Sequence, residues 1–249
     1  MKSLLLALQF KVECGSFERK DFSIIAAVGS SDNDQRLIVR QDHGIQKPKD
    51  LRGKHIAAAA PSPRFFLHLF LLKHGMSEKD ITLAIKKPEE LVPALVKGEI
   101  DAFSFREPFL TQAKAALQDK AVIFTEPGLY LKTVYLVALN SFIKDRPQAI
   151  RKILRAWIKA EEFIKRYPQQ AIEIVSTKQG IPLSEVRQIW PELNLKVSLE
   201  QALILSLEDE ARWAIKNRLT DKTRVPNYLN FIYLDGLKAV KPEAVTIIR

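Results

Sequence analysis

Three short stretches carry residue types that suit a bound small molecule. In Pro61-Ser62-Pro63-Arg64, a hydroxyl and a guanidinium stand where a buried apolar run gives way to a helical pattern. Free backbone N–H groups and the positive end of a helix dipole favour an anion there. Arg64 can grip such an anion bidentately; plain helix capping by Ser62 is the alternative. In Ser104-Phe105-Arg106-Glu107-Pro108, an aromatic ring stands beside an Arg–Glu pair at the end of another apolar run. That pattern is either a ligand-facing turn or a surface salt bridge. Asp32, Asn33 and Tyr130 fall in loops between strand-like runs, where two lobes could meet. Ordinary turn chemistry is the alternative for them.

Catalytic constellations are missing from the sequence. The four histidines, His43, His55, His68 and His74, are never three or four residues apart, so no helical metal pair exists. His68 lies in an apolar helical stretch and reads as a core histidine. The nine glycines are scattered and form no G-x-S-x-G, P-loop or G-x-G-x-x-G pattern. The single cysteine, Cys14, excludes an intrachain disulfide and a Cys-rich zinc or iron–sulfur site. The expectation is a binding protein with no metal and no cofactor.

The elements that must position these residues alternate through the first half. Strands are expected at Ser23–Val28, Arg36–Arg40, His55–Ala60, Ile81–Ile85, 101–105, Ala121–Thr125 and Thr133–Asn140. Gly29 to Asp34 reads as a polar loop. Helices are expected from Ser62 to Gly75, from Pro88 to Gly98 and from about residue 108 to Leu117, with Pro93 kinking or shortening the second. This order implies βαβ units and a largely parallel sheet. From Ser141 the chain turns helical, with Ile150, Ile153, Leu154, Trp157, Ala160 and Ile164 at helical spacing. Further helices are expected at Pro168, at Ser184, after a Ser198/Gln201 capping box, and over 226–240, followed by an extended tail.

Composition narrows the function classes. The 249 residues are 47% hydrophobic and 27% charged, enough for one large domain or two smaller ones. The net charge of +10 comes from Lys and Arg mixed with Asp and Glu, as on solvated helix faces. No basic ribbon interleaved with aromatics appears, so nucleic acid is not an expected partner. No apolar run reaches the ~18 residues of a membrane span. Met1–Phe10 resembles a signal peptide only faintly, because its apolar part is short and Lys11-Val12-Glu13 follows at once. Residues 1–20 are expected to be a buried or displaced piece of the fold, not a working export signal.

The stretch Lys47-Pro48-Lys49-Asp50-Leu51-Arg52-Gly53-Lys54-His55-Ile56 resembles the "PxDLrGKxI" approach to the second lobe of ABC-transporter substrate-binding proteins of the NMT1/THI5-like family. This branch includes nitrate, sulfonate, taurine and pyrimidine-precursor binders. The likeness continues through Phe66-Leu67, Leu71-Leu72-Lys73-His74-Gly75 and Pro88-Glu89-Glu90-Leu91. It runs on through Ala94-Leu95, Gly98-Glu99-Ile100-Asp101-Ala102-Phe103 and Glu107-Pro108. Ala160-Glu161-Glu162-Phe163-Ile164 and Val225-Pro226-Asn227-Tyr228 fit as well.

The resemblance implies a two-lobed α/β fold of the periplasmic binding protein type 2 kind, with hinge strands, an interlobe cleft and a helical C-terminal part. It implies delivery of a small, anionic or heteroaromatic ligand to an ABC-transporter permease, outside the cytoplasm. The membrane would be met only through that permease. Hinge closure would couple capture to recognition. Ser62, Arg64, Phe105, Arg106, Glu107, Tyr130 and Asn33 would line the cleft. Ser62 and Arg64 would hold a polar or anionic group, Phe105 and Tyr130 would pack the ligand body, and Arg106 and Glu107 would set charge preference.

The match begins only near Ser16-Phe17-Glu18-Arg19-Lys20, so an incomplete first lobe is expected. Residues 1–41 are assigned to its remnant, 42–135 to the second lobe, and 136–249 to a return to the first. The rival expectation is a cytosolic enzyme on the same fold, similar to a menaquinone-pathway dehydratase. A thiamine-pyrimidine synthase would need a cysteine-rich iron motif, which one cysteine cannot supply.

Overall fold

Among the described residues, apolar runs separated by Gly, Pro and Asp clusters become eight strands: β1 (Leu4–Leu8), β2 (Phe22–Ser31), β3 (Arg36–Arg40), β4 (His55–Ala58), β5 (Thr82–Ile85), β6 (Ala102–Phe105), β7 (Ala121–Phe124) and β8 (Lys132–Leu139). The computed structural model describes residues 15–59 and 61–248, together with the backbone of 4–8. The chain forms two units. One holds the residues up to Ser31 and from Lys132 onward; the other is Asp32–Leu131. Residues 32–41 therefore belong with the second unit, because β3 pairs there with β6 and β7. Residues 132–135 belong with the first, in β8. Both findings move the sequence-derived boundaries at 41 and 135. Of residues 1–20, Leu4–Leu8 pairs with β8, residues 15–18 are helical and Ser16 is buried; residues 1–3 and 9–14, Cys14 among them, lie outside the described residues.

The second unit is built on a five-stranded sheet of order β5-β4-β6-β3-β7. β4 is parallel to β5 and β6, and the connections carry α1 (Ser62–Lys73) and α2 (Pro88–Lys97). The α3 helix (Phe109–Leu117) follows β6. The expected parallel sheet holds for these three strands and fails for β3 and β7, which run antiparallel to their neighbours. Leu37, Ile38 and Val39 are fully buried, so β3 has the apolar composition of a parallel strand, and composition does not encode direction. Ile38, Ala57, Leu91, Leu95, Phe103 and Leu110 form part of this unit's core.

Local chemistry sets the helix ends. In α2, the Glu90 carboxylate accepts the Lys87 N–H at 2.7 Å, while Glu89 and Glu90 complement the positive end of the dipole. Pro93 lies inside this helix on its exposed side, yet the helix continues to Lys97. Gly98 closes it at φ +76°, a left-handed conformation that favours glycine.

In the first unit, β8 lies between β1 and β2, and both pairings are antiparallel. β2 runs three residues past the expected end, taking in Gly29-Ser30-Ser31 from the predicted loop, because Gly29, Ser30 and Ser31 still pair with Val134, Thr133 and Lys132. The helices are α4 (Asn140–Asp145), α5 (Pro147–Arg166), α6 (Pro168–Gln179), α7 (Leu183–Ile189), α8 (Gln201–Lys216) and α9 (Leu234–Lys238). Ile24, Tyr135, Ile150, Leu154, Leu207 and Tyr228 belong to their shared core.

Two of the expected helices take another form. Ser198 does not cap α8, because its backbone is exchanged with Ala27 across β2, Ser198 N–H donating at 3.1 Å and Ala27 N–H at 2.8 Å. Leu199 bonds to Ala244 and Thr246, which holds the chain extended up to Glu200. Residues 226–240 are not one helix. A 3-10 turn (Tyr228–Phe231) gives way to Ile232, which bridges to Ile24 before α9 starts.

Glu161 on α5 is 4% exposed, and its charge is matched locally. Its carboxylate accepts from Lys165 Nζ at 2.6 Å, Lys241 Nζ at 2.7 Å and Val197 N–H at 2.9 Å. Burial opposes ionisation, but the two ammonium groups and the amide outweigh it and hold the carboxyl below its usual range.

Candidate functional site

Parallel strands of an α/β sheet expose backbone groups at their carboxyl ends, where ligands collect. In the second unit this end is formed by Ala58 of β4, Ile85 of β5 and Phe105 of β6. The antiparallel β3 begins there, since Arg36 is the partner of Phe105, and β7 ends there, since Phe124 is the partner of Leu37. Five elements that are distant in sequence therefore bring their loops to one edge.

The sequence-predicted residues stand at this edge in a connected set. Ser104 Oγ donates to the Pro63 carbonyl at 2.8 Å, which fixes the first turn of α1 to the end of β6. Ser62 is inside that turn and only 9% exposed. It does not cap the helix as expected, because the Phe65 N–H already bonds to the Pro61 carbonyl at 3.0 Å, so the first turn starts one residue earlier. Tyr130 is buried and meets Phe65 of the same turn edge to face, centroids 5.5 Å apart.

Phe105 is buried, with Phe109 T-shaped against it at 4.9 Å and the Arg106 guanidinium 5.6 Å from its ring centroid. A cation held over an aromatic face in this way gains about 0.5–1 kcal/mol at an exposed site. The expected Arg106–Glu107 pair is replaced by a different one. Glu107 faces Arg36 at 3.8 Å and accepts the Thr111 N–H of α3 at 3.0 Å. Arg36 Nε also donates to the Asn33 carbonyl at 3.1 Å, which ties the Asn33 loop to Glu107. Among the described residues Arg106 has no carboxylate partner, which leaves its charge open to an anion.

Arg64 has a partner that sequence reading missed. Its guanidinium donates to Glu78 Oε2 at 2.8 Å, and both side chains are 17% exposed. His68 Nδ1 lies 3.8 Å from the other Glu78 oxygen. Glu78 belongs to the turn that precedes β5, so this cluster joins α1 to that turn. Arg36 and Glu78 were also missed as contributors. Arg36 carried a usable signal, a cation at the start of a strand beside the polar Asp32–Asp34 loop. Glu126, in the loop after β7, is held below the usual carboxylate range chiefly by Lys73, with His74 adding a contact at 2.9 Å. Among the described residues no group of three or more His, Cys, Asp or Glu is placed to hold a metal ion. The arrangement suits binding: aromatic faces, an open guanidinium and helix N–H groups.

These features define an α/β protein of the periplasmic binding protein type 2 fold, with a candidate anion site at the sheet edge of one unit. The profile of the family described as "NMT1/THI5 like" matches residues 23–171, and the chain belongs to that family. A protein of Bacillus subtilis named "Putative aliphatic sulfonates-binding protein" is 24% identical over 188 residues, 75% of this chain and 57% of that protein. This chain thus spans little more than half the length of that relative. The periplasmic aliphatic sulphonate binding protein SsuA from Escherichia coli superimposes with a TM-score of 0.78 at 16% identity, over 93% of this chain and 75% of that one. The desulfurization enzyme DSZB superimposes with a TM-score of 0.69 at 13% identity, over 96% and 85% of the two chains. At these identities the likeness establishes the fold alone. Among the described residues no helix is long and apolar enough to cross a membrane.

Proposed function

We propose that this chain is the solute-binding component of an ABC importer, taking up a small organic anion at the carboxyl edge of the five-stranded sheet and delivering it to a permease. The setting is extracytoplasmic, and the membrane is met only through the permease. The observation that supports this most directly is the open Arg106 charge above buried Phe105, with Ser62, Tyr130 and Asn33 on the same edge. In this reading Arg106 holds the anionic group and Phe105 and Tyr130 flank the ligand body. Ser62 and the first-turn amides of α1 add donors. Glu107, neutralised by Arg36, orients the turn, and Arg64 steadies α1 through Glu78. The sulfonate binders among its relatives give the ligand class its first candidates.

The test is calorimetric titration with nitrate, taurine, alkanesulfonates, thiamine precursors and aromatic carboxylates. At least one organic anion is expected to bind. Arg106→Ala then weakens it about tenfold or more, since a hydrogen bond to a charged group is worth about 1.5–3 kcal/mol. Binding that is unchanged in Arg106→Ala removes the site assignment, and no binding across the panel removes the ligand class. The fold also carries an enzyme, DSZB. Turnover of a bound sulfonate or sulfinate, followed as sulfite release, separates the catalytic reading from simple capture.

A further inference from the structure

The first unit contains a cavity of about 550 Å³ that belongs to no part of the site described above. Its walls come from the residues around Ser16 and from the segment 221–231. The volume falls within the range of small-molecule pockets, roughly 300–1,000 Å³. Phe231, 5% exposed, and the partly buried Phe17 give it an apolar side. The Phe231 ring is in turn backed by Phe22, centroids 5.4 Å apart.

Charge along the lining is unbalanced. Lys20, Lys222 and Arg224 stand there against one acid, Asp221, which lies 3.5 Å from Lys222 Nζ. Among the described residues Lys20 and Arg224 have no carboxylate partner. The Thr223 hydroxyl and the Asn230 amide supply neutral polar groups along the same walls.

The part of the lining around Ser16 and Asn227–Phe231 is held in place before any ligand arrives. Ser16 Oγ donates to Tyr228 Oη at 3.1 Å in a buried bond that ties the two walls together. Asn227 caps the 3-10 turn of Tyr228–Phe231 by accepting the Leu229 N–H at 3.1 Å. Tyr233 N–H bonds to the Ile24 carbonyl at 2.9 Å, anchoring that segment to β2, and Asn140 Nδ2 holds the Lys20 carbonyl at 3.1 Å. That wall loses little ordering entropy on binding.

We propose that this cavity is a second ligand site, selective for organic monoanions with a flat apolar body, such as arene sulfonates or arene carboxylates. The body packs against Phe17 and Phe231, and the anionic group lies between Lys20 and Arg224. Because the site is confined to the first unit, it stands or falls independently of the function proposed above.

The test is nuclear magnetic resonance of the labelled chain titrated with naphthalene-1-sulfonate, with neutral 1-naphthalenemethanol as comparator. Saturable shifts are expected at the amides of Thr223, Arg224, Asn227 and Asn230 and at the Asn230 side chain. The apparent Kd should rise about tenfold or more in Lys20→Glu/Arg224→Glu and for the neutral probe, the range for loss of an ion-paired anchor. Both substitutions are at exposed positions, and an unchanged Tm confirms that the fold is kept. The proposal is overturned if these resonances do not saturate below about 5 mM, the weak edge of specific binding. It is also overturned if the charge-reversed chain binds as well as the parent, or if the neutral probe binds as well as the anion. Arg106→Ala leaves the shifts in place, which keeps this outcome separate from that of the sheet-edge site.

Discussion

Replacing Glu161 by alanine removes the acceptor at the meeting point of α5, the Val197 segment and Lys241. Three groups lose a partner. Lys165 is 66% exposed at its side chain and returns to water, so its share is at most about 0.5 kcal/mol. Lys241 is 16% exposed at its side chain and keeps only the Val197 carbonyl at 3.2 Å. The buried Val197 N–H is left without an acceptor at a cost of about 1–3 kcal/mol. Breaking one side of a buried ion pair costs about 3–5 kcal/mol. With Lys241 partly hydrated, about 3 kcal/mol is expected for Glu161→Ala.

Glu161→Gln retains an acceptor for Val197 and is expected to cost about 1–2 kcal/mol. Urea unfolding followed by tryptophan fluorescence measures this in the right place, because Trp157, Trp190 and Trp213 all lie in the first unit. Since the Glu161 carboxyl is lowered in the fold, its contribution is complete above the unfolded value near pH 4.3 and is lost as pH falls through the folded value. The parent chain therefore loses stability in acid faster than Glu161→Gln. A Glu161→Ala loss below about 1 kcal/mol, or parallel acid profiles for parent and Gln variant, would refute the argument.

In Gly236→Ala, a methyl would stand 3.2 Å from both Ile150 Cγ2 and Leu154 Cδ1 and 2.9 Å from Tyr233 Cε1. Overpacking of about 1–3 kcal/mol exceeds the gain of about 1 in helix propensity, so the midpoint of urea unfolding falls. Gly98→Ala meets only ordinary contacts but sits at φ +76°, so about 1–2 kcal/mol of strain is expected in a thermal melt, and Gly98→Asn recovers part of it. Burial of Asp101 resists ionisation, but His43 Nδ1 at 2.6 Å and the His55 N–H at 2.8 Å more than offset it and lower its carboxyl. Asp101→Asn is therefore expected to flatten the loss of stability below about pH 4 seen by acid titration of the second unit's circular dichroism.

The elements legible in the sequence were those specified by neighbours along the chain. α2 is marked by Pro88, Glu90 and Gly98 within eleven positions, and all three act as their types suggest. The buried run at His55 and the helix after Pro61 followed for the same reason. Pairings decided at a distance left no such mark. Nothing local distinguishes Arg36–Arg40 as an antiparallel strand, because its direction is set by β6 and β7, more than sixty residues on. Ser198-x-x-Gln201 has the pattern of a capping box, but Ala27 claims the Ser198 backbone first. The same holds at the sheet edge. The stretches were legible, since strand ends and aromatics announce themselves. Who pairs with whom was not, and so Glu107 went to Arg36 and Arg64 to Glu78.

The two chain passages between the units run side by side, since Ser31 at the end of β2 pairs with Lys132 at the start of β8. Asp32–Leu131 is therefore an uninterrupted insert with adjacent ends, and this fixes an order of birth. On the ribosome the whole second unit is synthesised before its first-unit neighbour β8 exists, and it can close its own sheet at once. β2 must wait for β8 through about a hundred residues of synthesis, some 5–20 s at ordinary elongation rates. During that wait Ile24 and Ile25, fully buried in the finished fold, have no strand of β8 to cover them. The vulnerable interval of this protein is thus the one in which its insert is already folded and its frame is not.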